Sequence, residues 1–140
     1  MSGPGTQRSG LLQIGEVAER VGLSLRTVRY YEEQGLLEPA SRSPGGFRLY
    51  STDQVDRLAL IKQMKPLGFT VQEMRELLDA RDALRSAPAA SVPAETAAAT
   101  LSEYADAAAK RCAKLSEQLD QAKGLAGQLR SEAQQHRTTS

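Results

Sequence analysis

Two short helical patterns stand on either side of a single glycine within residues 14–37, and this spacing restricts the fold more than any other feature of the chain. The first pattern places three apolar residues on one face, at Val17, Ala18 and Val21. Gly22 has no Cβ atom, so the backbone can turn sharply there with a positive φ. Ser24 is a good N-cap for a second helix over 25–34, which Gly35 is placed to end. These residues predict a helix-turn-helix.

The second helix has basic and hydroxyl side chains on one face. Arg26, Arg29 and Tyr30 are spaced by three and four residues, which brings them together on a helix. A guanidinium group forks onto guanine or clamps a phosphate, and hydroxyl groups reach phosphate oxygens. We predict DNA contacts from Ser24, Arg26, Thr27, Arg29, Tyr30 and Tyr31. The alternative is a solvated face with a core tyrosine, and for Tyr31 packing, DNA contact or both stay open.

A glycine-rich hairpin follows, and we call the segment Arg42–Tyr50 the wing. Its turn signal is Pro44-Gly45-Gly46. Arg42 and Arg48 bracket the tip, and Tyr50 closes the hairpin. A basic hairpin beside a helix-turn-helix suits the phosphate backbone next to the DNA-reading helix, so we predict DNA contacts from Arg42, Arg48 and Tyr50. Ordinary hairpin residues are the alternative.

Two capping-box patterns predict two further helices. The first, at 51–54, opens a helix that we expect to end near Lys65, since Pro66 cannot continue it comfortably. The second, at 70–73, opens a helix through about Asp82. The apolar positions predict a small core of Val17, Val21, Leu23, Val28, Leu36, Leu37, Phe47, Leu49, Leu58, Ile61, Phe69, Met74 and Leu77.

Good helix formers dominate residues 96–135, after a linker that we place at 83–95. Apolar residues there recur every four and three positions, the pattern of a coiled-coil seam. A lone helix of this length is not stable in water, so a second copy of the chain is the nearest candidate partner. The sequence leaves open whether the helix breaks around Gly124 and Gly127. The predicted dimer contacts are Leu101, Tyr104, Ala108, Cys112, Leu115, Leu119, Ala122 and Leu129, and the seam continues through Ala126 and Ala133.

Four runs of the chain carry a resemblance to a known family: IGEVAERVGLS at 14–24, TVRYYEEQGLL at 27–37, R-x-Y at 48–50 and LGFTVQEMRELL at 67–78. Together they resemble the N-terminal domain of MerR-family transcription regulators, over roughly residues 12–80. The resemblance implies a mainly helical, all-α fold. A winged helix-turn-helix DNA-binding domain with a small β-hairpin wing over 12–82 would precede a long C-terminal dimerisation helix, packed as an antiparallel coiled coil.

The resemblance also implies a function. Members of the family bind double-stranded promoter DNA as homodimers and bend or untwist it, so that RNA polymerase can use the promoter. The tight link after Lys62 and Lys65 corresponds to a second wing in the family, so we expect phosphate contacts from these two lysines. Whether a small-molecule or protein effector controls the protein stays open; a small-molecule effector would bind at the ends of the coiled coil.

The net charge of the 140 residues is only +1, but the basic residues are unevenly placed. Between Arg20 and Lys65 there are eight basic and five acidic residues. Placement rather than bulk charge therefore supports DNA binding. The chain has no apolar run of about 18 residues that would cross a membrane. We expect residues 1–11 to be a disordered leader and the protein to be cytoplasmic and associated with the nucleoid.

No catalytic site, metal site or cofactor is predicted. The single Cys112 excludes a disulfide within the chain and a metal site built from several cysteines of one chain, although metal-sensing members of the family use two or more. Since Cys112 lies on the seam, we interpret it as a small hydrophobe. His136 belongs to a tail over 136–140 that we expect to be frayed.

Three hypotheses about function stay open. The chain is a regulator that responds to a small molecule, a regulator without such a ligand that is controlled by its abundance or a protein partner, or a coiled-coil adaptor whose DNA face is vestigial. The target promoter and the sign of regulation are not contained in the sequence.

Overall fold

The computed structural model describes residues 10–85 and 93–139. Of the regions predicted above, residues 1–9 of the leader, 86–92 of the linker and Ser140 of the tail lie outside the described residues. In chain order the elements are β1 (Leu12–Gln13), α1 (Ile14–Val21), α2 (Leu25–Glu33), β2 (Ser41–Arg42), β3 (Arg48–Tyr50), α3 (Thr52–Met64), a 3₁₀ turn (Lys65–Leu67), α4 (Val71–Arg85) and α5 (Ala94–Thr139).

The helix-turn-helix is confirmed, and local caps explain its boundaries. Gly22 ends α1 with φ at +78°, and its N–H donates to the carbonyl of Ala18 at 2.9 Å. The Ser24 side chain accepts the N–H of Thr27 at 3.1 Å, as expected of an N-cap. Gly35 follows α2 with φ at +78°, where a residue with a Cβ would be strained.

The wing is confirmed and belongs to a three-stranded antiparallel sheet with the order β1-β3-β2. A turn closes the tip, since Gly46 donates its N–H to the carbonyl of Ser43 at 2.8 Å. Strand β1 was not predicted, because two residues are too few to show an alternating pattern. It pairs Leu12 with Tyr50 and so fastens the start of the chain to the wing.

The core of the first lobe follows the apolar pattern with one clear error. Phe47 is 63% exposed, because it belongs to the tip of the hairpin before β3 begins. Leu23, Leu49 and Leu77 are only half-buried. Tyr50, by contrast, is fully buried and was absent from the predicted core. Leu78 is also fully buried, as its place on the inward face predicted for the helix after Thr70 indicates. The predicted residues that are buried are Val17, Val21, Val28, Leu36, Leu37, Leu58, Ile61, Phe69 and Met74.

One of the two predicted capping boxes forms. At the start of α4, Thr70 and Glu73 exchange hydrogen bonds of 2.9 and 3.1 Å, which confirms the prediction. At the start of α3 the Ser51 side chain makes no capping bond. Gln54 Oε1 instead accepts the N–H of Glu38 at 2.9 Å. The prediction of a capping box there is wrong, because a partner distant in sequence takes the amide.

Helices α4 and α5 are longer than predicted. α4 continues to Arg85, three residues past its expected end, and α5 runs through Gly124 and Gly127 without a break. α5 also includes 136–139, where a frayed tail was expected. Each of the two isolated glycines costs about 1 kcal/mol relative to alanine. This cost is too small to end the 46-residue helix.

The chain divides into two compact units, the first ending at Leu101 and the second beginning at Ser102. In the first unit, the beginning of α5 packs against α4 through a cluster of Ala80, Ala83 and Ala97, with Leu101 against it. The second unit is the remainder of α5. No helix of the described residues has the length and apolar content needed to span a lipid bilayer.

Candidate nucleic-acid interface

The outward face of α2 carries two arginines that are not committed to the fold. Arg26 and Arg29 are exposed, and neither guanidinium group has a hydrogen bond or ion pair with another described residue. On the opposite side of α2, Val28 and Tyr31 are buried in the core. The amphipathic pattern of the helix therefore anchors it to the lobe and turns the guanidinium groups towards solvent.

Tyr30 and Tyr31 are neighbours with different roles. Tyr30 is 45% exposed, whereas Tyr31 is 4% exposed. Their rings meet edge to face with centroids 5.4 Å apart, a favourable aromatic geometry. Burial, and then the adjacent Tyr30, raise the pKa of Tyr31 above its ordinary value. Of the roles left open by the sequence, Tyr31 therefore has the packing role, and it supports the Tyr30 ring on the exposed side of α2.

Ser24 and Thr27 stand at the start of α2. Besides the capping bond, the Oγ of Ser24 and the Oγ1 of Thr27 lie 2.8 Å apart and share a hydrogen bond. Ser24 is exposed and Thr27 is half-buried. Both hydroxyl groups are thus held at the N-terminal end of the helix, a position from which side chains reach phosphates.

An ion pair links the wing to α2. Arg48 Nη1 lies 2.7 Å from Glu32 Oε1, with 47% of the arginine side chain and 11% of the glutamate side chain exposed. Arg42 stands opposite Arg48 across the two strands. Its Nη1 donates to the carbonyl of Gly46 at 3.1 Å, which stiffens the tip. Both predicted wing arginines therefore lie on one hairpin and keep part of their surface in solvent.

Tyr50 is not available for DNA. Its ring is 0% exposed, so the prediction of a DNA contact from Tyr50 is wrong. Its hydroxyl makes no hydrogen bond of standard geometry within the described residues, but it lies close enough to Glu32 and Arg48 to interact with both side chains. Burial, and after it the nearby Glu32 carboxylate, raise the pKa of Tyr50 to about 12. Tyr50 instead forms the buried base of the wing beneath the ion pair of Arg48 and Glu32.

Phe47 is a surface residue that the sequence assigned to the core. Its ring lies against the backbone of Gly45, where an added Cβ would come within 3.2 Å of it. The wing tip therefore presents one aromatic ring between its two arginines. In the sequence, this exposure was indicated only by the position of Phe47 directly after the turn glycines.

The two lysines assigned to the second wing differ. Lys62 Nζ donates to the carbonyl of Val21 at 2.7 Å and so caps the C-terminal end of α1. Lys65 is exposed, and its side-chain ammonium group has no partner among the described residues. The ammonium group of Lys62 therefore stabilises the fold, whereas that of Lys65 is unpaired within the described residues.

Two further arginines hold the end of α2, and sequence reasoning missed both. Arg57 Nε donates to the carbonyl of Leu36 at 3.1 Å, and its Nη1 lies 2.6 Å from Asp82 Oδ2. Arg75 donates to the carbonyl of Gln34. These bonds come from α3 and α4 to carbonyl groups just after α2. They fix the direction in which α2 leaves the lobe and with it the orientation of the exposed face.

The predicted seam lies along the second unit of α5. Leu115, Leu119 and Leu129 are 43%, 54% and 55% exposed, respectively. Cys112 is exposed, while Tyr104 and Ala108 are half-buried. Leu101 departs from the prediction, because it packs against the alanine cluster of its own lobe. For the other seam residues, the dimer contact stays a prediction.

The described residues contain no group of three or more His, Cys, Asp or Glu side chains arranged to hold a metal ion.

Two family models match the chain. Residues 12–81 match the family described as MerR HTH family regulatory protein, and residues 55–131 match the one described as MerR, DNA binding. The first match begins with β1 and ends within α4. Together the two matches cover both the first lobe and most of α5.

Curated relatives match the same lobe. The chain is 46% identical over 70 residues to a mercuric resistance operon regulatory protein of Bacillus cereus, a match that covers 50% of this chain and 53% of the relative. It is 41% identical over 71 residues to the HTH-type transcriptional regulator ZntR of Escherichia coli strain K12, covering 51% of this chain and 50% of the relative. The chain spans about half the length of these relatives.

Solved structures share the fold. A crystal structure assigned to the MerR family from Listeria monocytogenes is 26% identical, with a TM-score of 0.61 and 79% of each chain covered. HiNmlR, a MerR family regulator lacking the sensor domain and bound to promoter DNA, gives a TM-score of 0.60 over 81% of this chain and 85% of its own. Its sequence identity is 20%, so this likeness concerns the fold alone.

Proposed function

The chain belongs to the MerR family of helix-turn-helix regulatory proteins, and we propose that it is a sequence-specific transcription regulator that binds promoter DNA as a homodimer. The observation that carries this proposal is the uncommitted pair Arg26 and Arg29 on the exposed face of α2. The α2 helix enters the major groove, where an arginine discriminates guanine by a forked contact. The wing and Lys65 contact phosphates on either side and set the position of the helix.

The second unit of α5 supports the homodimer. Leu115, Leu119 and Leu129 would stay largely in water on a single chain, although their spacing makes one continuous stripe. A second copy of the chain covers this stripe because it carries the same one. Two lobes joined in this way read a two-fold symmetric DNA site.

The sizes of the seam residues favour an antiparallel pair. When the two helices cross between residues 120 and 121, Leu119 faces Ala122 of the second copy, Leu115 faces Ala126 and Leu129 faces Cys112. Each of these three layers then combines one large and one small side chain, which fills the space evenly, and only the outer layer of Ala108 and Ala133 pairs two small side chains. A parallel pair in register would instead set leucine against leucine and alanine against alanine, with alternating crowding and gaps.

Distortion of the promoter follows from the same proposal. The proposed dimer contacts one DNA site with two wings and two α2 helices. Bending or untwisting the DNA increases the number of phosphate contacts when it brings more phosphates into reach. Such deformation costs a few kcal/mol, which the added contacts offset. The deformed promoter is the form that RNA polymerase then uses. A small-molecule or protein effector would act on the geometry of the α5 pair.

The experiment that tests this function starts from a random-sequence DNA library. The purified chain is expected to enrich a two-fold symmetric duplex and to protect it in footprinting, with enhanced cleavage at the centre. Sedimentation of the free protein should give the mass of a dimer, and Leu115→Asp should give that of a monomer. Enrichment of no sequence at low or moderate salt would contradict the proposal and favour an adaptor that binds another protein through α5.

A further inference from the structure

Glu32 occupies the junction between α2 and the wing. It lies two residues beyond Tyr30 on the helix, and its carboxylate reaches Arg48 on β3 at 2.7 Å. Its side chain is 11% exposed, and the buried Tyr50 lies next to the pair. The adjacent Glu33 is exposed and has no partner among the described residues. The two neighbouring carboxylates therefore differ in burial and in bonding: Glu32 is largely buried and holds the wing, whereas the exposed Glu33 side chain does not.

We propose that Glu32 is a positioning residue for DNA recognition, which holds the guanidinium group of Arg48 in place to receive a phosphate. This inference rests on the proposed function, since it requires that Arg48 contacts DNA. Only one nitrogen of Arg48 is bound to Glu32, and 47% of the side chain stays exposed. A guanidinium has five N–H donors, so the outer edge of Arg48 keeps donors for a phosphate.

Two physical effects give Glu32 this role. An arginine that is already immobilised loses less conformational freedom on binding, so more of the contact energy appears as affinity. In addition, Arg42 and Arg48 stand opposite each other on β2 and β3. Like charges in that arrangement repel. The Glu32 carboxylate offsets the repulsion and allows the wing to carry two arginines towards one DNA backbone.

If Glu32 positions Arg48, removal of its charge should change specific DNA binding in the opposite direction from removal of a carboxylate that only repels DNA. A carboxylate near DNA repels phosphates, so the loss of its charge alone should strengthen binding to every sequence. Loss of positioning should weaken binding to the specific site only, because non-specific complexes do not require a fixed wing. Glu33→Gln provides the matched control, since it removes the same charge from the next position of the same helix.

The test compares Glu32→Gln and Glu33→Gln with the wild-type chain, on the duplex that wild type enriches from a random library and on a scrambled duplex of equal composition. Each variant is also made together with Arg48→Ala. The thermal unfolding of each protein is followed in parallel, so that binding is compared between fully folded samples.

We expect Glu32→Gln to bind the selected duplex about fivefold more weakly than Glu33→Gln, the range in which an exposed ion pair acts. On the scrambled duplex the two variants should bind equally, and with Arg48→Ala present they should also bind equally on the selected duplex. Equal or tighter binding of Glu32→Gln to the selected duplex would overturn the inference alone. A wild-type chain that does not discriminate between the duplexes would overturn the proposed function and this inference with it.

Discussion

Lys62 Nζ lies 2.7 Å from the carbonyl oxygen of Val21, and this bond from α3 closes the end of α1 at the turn of the helix-turn-helix. The turn residue itself, Gly22, leaves room for the lysine, since an added Cβ would stand 2.8 Å from Nζ. The Lys62 side chain, which the sequence assigned to DNA, is thus bonded within the fold. The side chain of Lys65, three positions later, has no partner among the described residues.

The contrast between Lys62 and Lys65 gives a first prediction. Lys62→Met should lower the free energy of unfolding by about 1–2 kcal/mol, because the Val21 carbonyl loses a charged donor. Lys65→Met should leave stability within about 0.5 kcal/mol and should reduce the slope of log affinity for DNA against log salt by about 1. Denaturant unfolding and salt-dependent binding measure both. If Lys62→Met unfolds like wild type while Lys65→Met is destabilised, the assignment is reversed.

Arg57 gives a second prediction about the support of α2. Arg57→Met should destabilise the lobe by about 1–3 kcal/mol, since the carbonyl of Leu36 loses its donor in a half-buried place. Asp82→Asn should cost less, about 0–1 kcal/mol, because 55% of the Asp82 side chain is exposed and the ion pair is screened by water. Urea unfolding of both variants measures the difference. Equal losses would show that the ion pair, rather than the bond to Leu36, carries the effect.

Tyr50 gives a prediction about pH. The pKa of its phenol is about 12 in the folded lobe against an ordinary 10.0, so the unfolded chain releases this proton first. The contribution of this phenol to the free energy of unfolding is therefore fully present below pH 10 and is lost as the pH rises from about 10 through 12. Tyr50→Phe should reduce this loss. At neutral pH it should change the free energy of unfolding by no more than about 1 kcal/mol, because the buried hydroxyl makes no hydrogen bond of standard geometry within the described residues.

Unfolding of wild type and Tyr50→Phe at several pH values between 7 and 12 makes this comparison. Tyr31→Phe is a useful reference, because burial also raises the pKa of Tyr31. A clear loss of stability in Tyr50→Phe at pH 7 would mean that the hydroxyl is satisfied in solution.

The limits of sequence-based prediction are visible in these same residues. The caps at Ser24 and Thr70 and the glycine at Gly22 were predicted because each acts within four residues of itself. Arg57 and Arg75 bond carbonyl groups 21 and 41 positions away, and a backbone carbonyl carries no mark in a sequence. Their role in orienting α2 therefore required coordinates.

Periodicity predicted burial well on helices and poorly on the wing. A helix face shows itself through repeated spacing, as Val17 and Val21 do on α1. Phe47 and Tyr50 lie three residues apart on a short hairpin, where the end of the strand decides which ring is covered. On α5 the spacing indicated a seam, yet Leu101 packs on its own lobe because the helix begins at Ala94 beside α4.

Cys112 provides a test of helix orientation in the proposed dimer. In the antiparallel pair the two Cys112 thiols lie about 25 Å apart at a rise of 1.5 Å per residue, so a short thiol-specific cross-linker should leave wild type uncoupled. Leu129→Cys should give a covalent dimer, because position 129 faces Cys112 of the second copy. Ser131→Cys, on the outer face of the same turn, is the control that should stay uncoupled. Efficient coupling of wild type would indicate a parallel pair.

Arg29 tests the central claim that the exposed face of α2 reads DNA sequence. The measurement is the affinity of Arg29→Ala for the selected duplex and for duplexes changed at single base pairs, with Arg20→Ala, an exposed arginine of α1, as the control. We expect Arg29→Ala to lose about 1–3 kcal/mol on the selected duplex and to stop discriminating at one base pair in each half-site, while Arg20→Ala keeps the full discrimination. The claim that Arg29 reads a base would be contradicted if Arg29→Ala still discriminated at every base pair. This holds whether or not the variant loses affinity equally for all duplexes.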